Sequence, residues 1–267
     1  MARRPKYKER YCAFVDILGF RQLIDRLDRD EIKFQLVRNL LQTIHAPAQN
    51  RLYLFEQSDF RAQSISDAIA LSAKPKIEGL WQLLHSLETL SLELLEQGYF
   101  VRGAVVRGRL YHDEQIVFGS ALVRAYELES AIAKFPRIMV TSDVGRDVSL
   151  FQRFGGIWEN EFRDRIRQAT DGPLFLHFLR KMQQRFEGAL VSRPRTNFGT
   201  AREFRAYREM RDLIQLRLRQ AIDNPNHFEK IKWFASYWNE CVPKRATGFE
   251  PITSAELIPA FGLATEY

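Results

Sequence analysis

Two aspartates set inside apolar runs constrain this chain more than any other feature. Tyr11 to Phe20 reads YCAFVDILGF and Ser64 to Ser72 reads SISDAIALS, so Asp16 and Asp67 each interrupt a stretch with the composition of a buried strand. A carboxylate is costly to bury without compensation, and a bound hard cation is the usual compensator. Two such aspartates on neighbouring strands predict a pair of Mg2+ or Mn2+ ions, an arrangement that moves phosphoryl groups.

The pattern around them predicts the fold. Residues 10–17 read as a strand, followed by a long helical pattern from Phe20 to Ile44. Arg51 to Glu56 and Ser64 to Ser72 read as two strands of an antiparallel hairpin. Leucines at helical spacing fill Leu80 to Leu95. Tyr99 to Tyr111, with Gly103 and Gly108, reads as a strand with bends or close backbone contacts. Gly119 to Lys134 reads as a helix whose apolar face carries Leu122, Ala125, Tyr126 and Ala133, and Pro136 to Ser142 as a closing strand. The order β-α-β-β-α-β predicts an α+β fold, an α/β sandwich with a ferredoxin-like core. We expect residues 1–145 to form that core and residues 146–267 a mainly helical extension packed on it. The aromatics of the last helix, Phe228, Trp233, Phe234, Tyr237 and Trp238, read as packing rather than as a base-stacking surface.

Composition excludes several chemistries. The 267 residues are 45% hydrophobic, enough for a sizeable core, and no apolar run approaches membrane-spanning length. The basic N-terminus is followed by no signal-length apolar segment, so the expectation is a cytoplasmic protein with no membrane contact. Cys12 and Cys241 have no partner spacing, which argues against a disulfide framework or a thiolate metal site. The five histidines are scattered without metal-ligand spacing. A net charge of +7, spread among acidic residues, suits an anionic ligand such as a nucleoside triphosphate. It would tolerate nucleic acid, which we do not expect as the partner.

The turn after Asp16, Ile17-Leu18-Gly19-Phe20, leads into the first helical pattern. Free N–H groups at a helix start, with Gly19 allowing close backbone approach, make a cradle for a triphosphate. FVDILGF resembles the F-x-D-I-x-G-F motif of class III nucleotidyl cyclases. SISDAIALS resembles their second metal strand, with Ser66 in place of a glycine. RGAVVRG, VFGSALVRAYELES and PRIMVTSDV are similar to their later strand, helix and closing strand, so the resemblance runs through residues 10–145 in consistent order. It implies a class III cyclase core in which Asp16 and Asp67 ligate two Mn2+ or Mg2+ ions, with the Ile17 carbonyl as a further ligand. It also implies attack of the ribose 3′-OH on the α-phosphate, a 3′,5′-cyclic nucleotide and pyrophosphate as products, and a homodimer with sites at its interface.

Three departures from the family pattern shape the expectation. The family asparagine and transition-state arginine fall on Val123 and Glu127, neither of which can do that work. Arg107 is the first substitute for the missing cation, and Arg102 and Arg124 are weaker ones. The purine-reading positions are Gln63 and Ile116, with Tyr53 able to fill the space of a purine ring. The chain therefore resembles the bacterial pyrimidine cyclases of antiphage defence (the Pycsar type). For those the substrate is UTP or CTP, with UTP favoured here, and the cyclic product activates an effector. The alternative is a degenerate cyclase fold that binds a nucleotide or a partner without turnover.

Overall fold

The computed structural model describes residues 7–19, 31, 35, 38, 58–65 and 68–253. Its strands are β1 (Lys8–Leu18), β2 (Arg61–Ile65), β3 (Ala68–Ala73), β4 (Phe100–His112), β5 (Val117–Phe118), β6 (Ile138–Val140), β7 (Ile166–Gln168) and β8 (Leu174–Leu176). The helices are α1 (Ile77–Glu96), α2 (Ser120–Glu127), α3 (Ser142–Gln152), α4 (Ile157–Phe162), α5 (Arg180–Ser192), α6 (Arg205–Gln220) and α7 (Pro225–Cys241). A π turn, Leu128–Ile132, continues α2.

One mixed sheet runs β2-β3-β1-β4-β6-β8-β7, with β5 paired to β4. Its first four strands are antiparallel and stand in the order 2-3-1-4, the ferredoxin-like arrangement. The α+β expectation holds. Its hairpin is shifted, however. Ile65 pairs with Ala68, so the run Ser64 to Ser72 is divided between β2 and β3. The strand expected at Arg51 to Glu56, all of the first helical pattern except residues 31, 35 and 38, and the site candidates Phe20, Tyr53 and Asp67 lie outside the described residues.

Burial of β1 explains why it is central. Tyr11, Ala13, Val15 and Ile17 are all at most 2% exposed, so one face is sealed along its length. The other face is sealed at Cys12 and opens through half-buried Phe14 to Asp16. β4 pairs with β1 over its whole length, from Lys8 opposite Leu110 to Leu18 opposite Phe100. Gly103 makes that approach possible, because a Cβ there would lie 2.5 Å from the Phe14 carbonyl oxygen. α2 packs Ala121 and Ala125 onto Cys12, Val106 and Leu110. α1 buries Leu80, Leu83, Leu84, Leu87 and Leu94, the predicted helical stripe.

The chain forms two compact units, Met1–Leu94 with Tyr99–Phe178 and Leu95–Gly98 with Leu179–Tyr267. The first contains the whole sheet, which continues past residue 145 through β7 and β8. The second is helical. Its core gathers Phe186, Phe198, Phe204 and Phe249, with neighbouring ring centroids about 5 Å apart. Phe234, Tyr237 and Trp238 of α7 are buried, as a packing role requires. No helix among the described residues is long and apolar enough to cross a membrane.

A buried polar network ties the sheet to the segment before β2. Arg10, 6% exposed, donates to Ser72 Oγ and Asp59 Oδ2, and Ser72 Oγ lies 2.8 Å from His112 Nδ1. Burial, reinforced by the Arg10 and Arg61 cations, pushes His112 down to about 4 from its ordinary 6.5. The folded chain therefore resists a proton that the unfolded chain takes up below 6.5. Stability is expected to fall as pH drops from about 6.5 to about 4. A tenfold change in proton affinity is worth about 1.4 kcal/mol, so the full loss is about 3 kcal/mol. Urea unfolding at a series of pH values should show this loss, and His112→Gln should flatten it; an unchanged slope in that variant would assign the loss to other groups.

Candidate functional site

The register of the sheet decides which side chains can meet. Residues paired directly across antiparallel strands point to the same face. Asp16 pairs with Ala68 on β3 and Arg102 on β4, and Phe14 pairs with Ala70 and Ala104. Ala70 in turn pairs with Gln63 on β2. Asp16, Phe14, Gln63 and Arg102 therefore share one face, the face onto which α2 packs. Tyr11 pairs with Arg107, an odd number of residues away, so that pair occupies the opposite face.

Asp16 sits at the open end of this face, its side chain 18% exposed. Arg102 Nη2 donates to Asp16 Oδ2 at 3.2 Å. The same guanidinium lies 2.5 Å through Nε from Glu129 Oε1, whose side chain is 4% exposed. A buried carboxylate without a cation would cost several kcal/mol, so Arg102 is committed to this spot by Glu129 as much as by Asp16. Glu129 escaped the sequence reading although a signal existed. Ala121, Ala125 and Glu129 are spaced by four, so the stripe that buries the two alanines against the sheet carries Glu129 inward as well.

Arg107, the first candidate for the missing cation, is not brought to Asp16. It ion-pairs with Glu9 at 3.0 Å and Asp147 at 3.1 Å, and the Glu9 hydrogen bond, with that of Asp147, raises its pKa above the ordinary value. Tyr11 donates to Asp147 from the same side, and burial, followed by that hydrogen bond, pushes its phenol far above its usual range. The physical reason for the correction is strand alternation: positions 102 and 107 cannot face the same way on one regular strand. Arg124 forms a 3.7 Å surface pair with Asp143.

Ile17 is 2% exposed with its side chain on the sealed face, Leu18 is half-buried, and the chain leaves β1 through exposed Gly19 at φ 83°. That left-handed conformation favours glycine, and nothing lies within 4 Å of where a Cβ would be. Gln63 and Ile116, far apart in sequence, converge. Gln63 Nε2 donates to the Gln115 carbonyl at 3.0 Å, beside Ile116. The turn carrying Ile116 is held by Asp113, which accepts from Tyr111 Oη, Gln115 N and Ile116 N; these bonds, the Tyr111 one foremost, lower Asp113 to about 2. Val123 and Glu127 lie on the outer face of α2, with Val123 55% exposed and Tyr126 53% exposed, so Tyr126 is not part of the buried stripe. Tyr126 instead meets Phe14 edge-on at 5.6 Å.

Among the described residues no group of three or more His, Cys, Asp or Glu side chains converges as a metal would require. Asp16, partly exposed at the end of β1, is a hard oxygen donor of the kind Mg2+ and Mn2+ prefer. Asp16 is thus one oxygen donor of the kind such an ion takes, and its Oδ2 is paired with Arg102.

No family model matches the chain, and no curated protein matches it. Among solved structures it is similar to an adenylate/guanylate cyclase/hydrolase from Silicibacter pomeroyi at 14% identity and a TM-score of 0.36. That match covers 63% of this chain and 95% of the other. A likeness of this degree bears on neither activity nor substrate.

The two arginines differ in what they leave behind when removed. Arg102→Met removes the cation beside buried Glu129 and should cost about 3 kcal/mol of unfolding free energy. Arg107→Met leaves half-exposed Glu9 to water, while Asp147, 15% exposed, keeps the Tyr11 hydroxyl as donor, so the cost should be smaller, about 1 kcal/mol. Urea denaturation of both variants measures the difference; equal losses would contradict this account of Glu129.

Proposed function

We propose that this chain is a metal-dependent nucleotidyl cyclase that converts a pyrimidine nucleoside triphosphate, UTP before CTP, to its 3′,5′-cyclic monophosphate and pyrophosphate. The observation that carries the reading is the β1–β3 register. Asp16 pairs with Ala68, the first residue of β3, so the acidic end of β1 adjoins the start of β3. The motifs resembling class III cyclases occur in order on elements of the matching kind, which supports the same reading.

Asp16, the Ile17 carbonyl and Asp67 would hold Mg2+ or Mn2+. Bound there, such ions lower the pKa of an attacking hydroxyl and neutralise charge on a leaving pyrophosphate. The chain's own residues supply the rest. Gly19 lets the backbone approach the phosphates after β1. Arg102, on the Asp16 face and held by Glu129, is the cation available where Glu127 offers none. The ribose 3′-OH attacks the α-phosphorus, its P–O bond to the pyrophosphate breaks, and the ring closes. Gln63 and Ile116 meet at one place and offer no ionic partner to a purine edge, which supports a smaller base. Exposed Val123 and Tyr126 on α2 fit a homodimer interface beside the site. A cyclic nucleotide product suits signalling to an effector, and antiphage defence is the setting this resemblance implies.

One observation favours a second reading, a nucleotide-binding protein without turnover: Val123 and Glu127 stand exposed where the family pattern has an asparagine and an arginine. Incubation with each of the four triphosphates and Mn2+, with products identified by mass, separates the two. Cyclic UMP or cyclic CMP is expected, falling roughly 100-fold or more in Asp16→Ala and Asp67→Ala. Triphosphate binding without product favours the second reading, and absence of both product and binding removes the two together.

A further inference from the structure

The outward face of α3 mixes apolar side chains with cations. Arg146, Ser149, Leu150, Arg153 and Phe154 recur at helical spacing, and all five are exposed. Val144 and Val148, on the opposite side of the helix, are buried. Hydrogen bonds from Arg153 N to the Leu150 carbonyl and from Phe154 N to the Phe151 carbonyl carry the turn past the end of α3. Gly155 and Gly156, at φ 72° and 60°, then lead into α4, whose first residue is Ile157. Nothing lies within 4 Å of where a Cβ would stand on either glycine, so the turn projects. Leu150 is 50% exposed, Phe154 61% and Ile157 60%. Large apolar side chains left in water so close together mark an interaction site.

The charge of this corner is positive. The outward stripe contains no acid, and neither Arg146 nor Arg153 has an ion pair among the described residues. The acids of α3 and α4 have partners of their own: Asp143 with Arg124, Asp147 with Arg107 and Tyr11, Glu159 with Arg163, and Glu161 with Arg165. We propose that the α3–α4 corner adsorbs to an anionic lipid surface. Leu150, Phe154 and Ile157 enter the boundary between headgroups and acyl chains, and Arg146 and Arg153 lie among the headgroups. A fluid bilayer closes around a projecting turn, where a folded partner would need a matching pocket. Arginine suits the border, because its aliphatic stem lies along apolar matter while the guanidinium stays with phosphate. The expectation of no membrane contact rests on the want of a spanning segment, and adsorption needs none. The inference is independent of the reaction proposed at Asp16.

The test is co-sedimentation of the full chain with vesicles of equal parts phosphatidylglycerol and phosphatidylcholine, and with vesicles of phosphatidylcholine alone. Wild type is expected to bind the anionic vesicles roughly 10-fold or more tightly than the neutral ones. Arg146→Gln/Arg153→Gln should remove most of that preference. Phe154→Ser/Ile157→Ser should weaken binding to the anionic vesicles roughly 10-fold or more. Val191→Ser, which removes an apolar side chain 84% exposed on α5, is the control and should bind as wild type does. Thermal melts check folding, and Leu150→Ser takes the place of the Phe154→Ser/Ile157→Ser pair if that pair does not fold. Wild type that stays in solution beside the anionic vesicles overturns the proposal, as does equal binding to the two kinds of vesicle. Binding that survives Phe154→Ser/Ile157→Ser, or that Val191→Ser weakens as much, overturns it too. Loss of self-association in Phe154→Ser/Ile157→Ser, with no vesicle binding by wild type, would assign the corner to a contact between copies of this chain instead.

Discussion

Alternation along a long antiparallel pairing governs everything that happens at the rim of this sheet. β1 and β4 run together from Lys8 opposite Leu110 to Leu18 opposite Phe100, and each step turns a side chain to the other face. A slip of one residue would exchange the sealed face of Tyr11, Ala13, Val15 and Ile17 for the face of Asp16. Gly103 helps to hold the register, since any larger residue would strike the backbone of β1 at Phe14. The cost of exposing four buried apolar side chains and burying an aspartate without its partner forbids the alternative.

The two faces then handle charge differently. On the Asp16 face a cation is shared between a partly exposed acid and a buried one, and burial decides its loyalty. On the other face Arg107 lies between Glu9 and Asp147, with Tyr11 completing the group through its hydroxyl. Glu9 is half-exposed, so water screens its pair with Arg107 and that bond adds little stability, whereas Asp147 is 15% exposed and has Tyr11 as a second donor. On the Asp16 face the charges are instead held within or near the protein interior, with Glu129 4% exposed and Asp16 18%. The same face extends to Gln63 through Phe14 and Ala70, which links the acidic end of β1 to the turn held by Asp113.

Much of this was legible beforehand. The strand at residues 10–17, the leucine stripe of α1, the long strand near 100–112 and the packing role of the α7 aromatics follow from local periodicity. Periodicity reports only which positions are apolar, and these elements needed nothing more. The division of Ser64 to Ser72 into two strands was missed because its residues are compatible with one continuous strand. Only the pairing of Ile65 with Ala68 distinguishes the two. Arg102 and Arg107 each flank a glycine on one strand, and it is alternation over their five-residue separation that puts them on opposite faces.

What the amino-acid sequence determined by itself was the inventory and the order: an acidic residue in each of two apolar runs, glycine after the first, a helix lacking the expected asparagine and arginine, and an α+β succession of elements. These are properties of composition and spacing, which folding does not alter. Tertiary structure alone decided which charges became partners. Glu129 meets Arg102 because a stripe on α2 packs against the sheet, and Arg102 meets Asp16 because antiparallel pairing turns both toward that helix. Both contacts join residues distant along the chain, and such distances are set by register and packing, which no local pattern encodes.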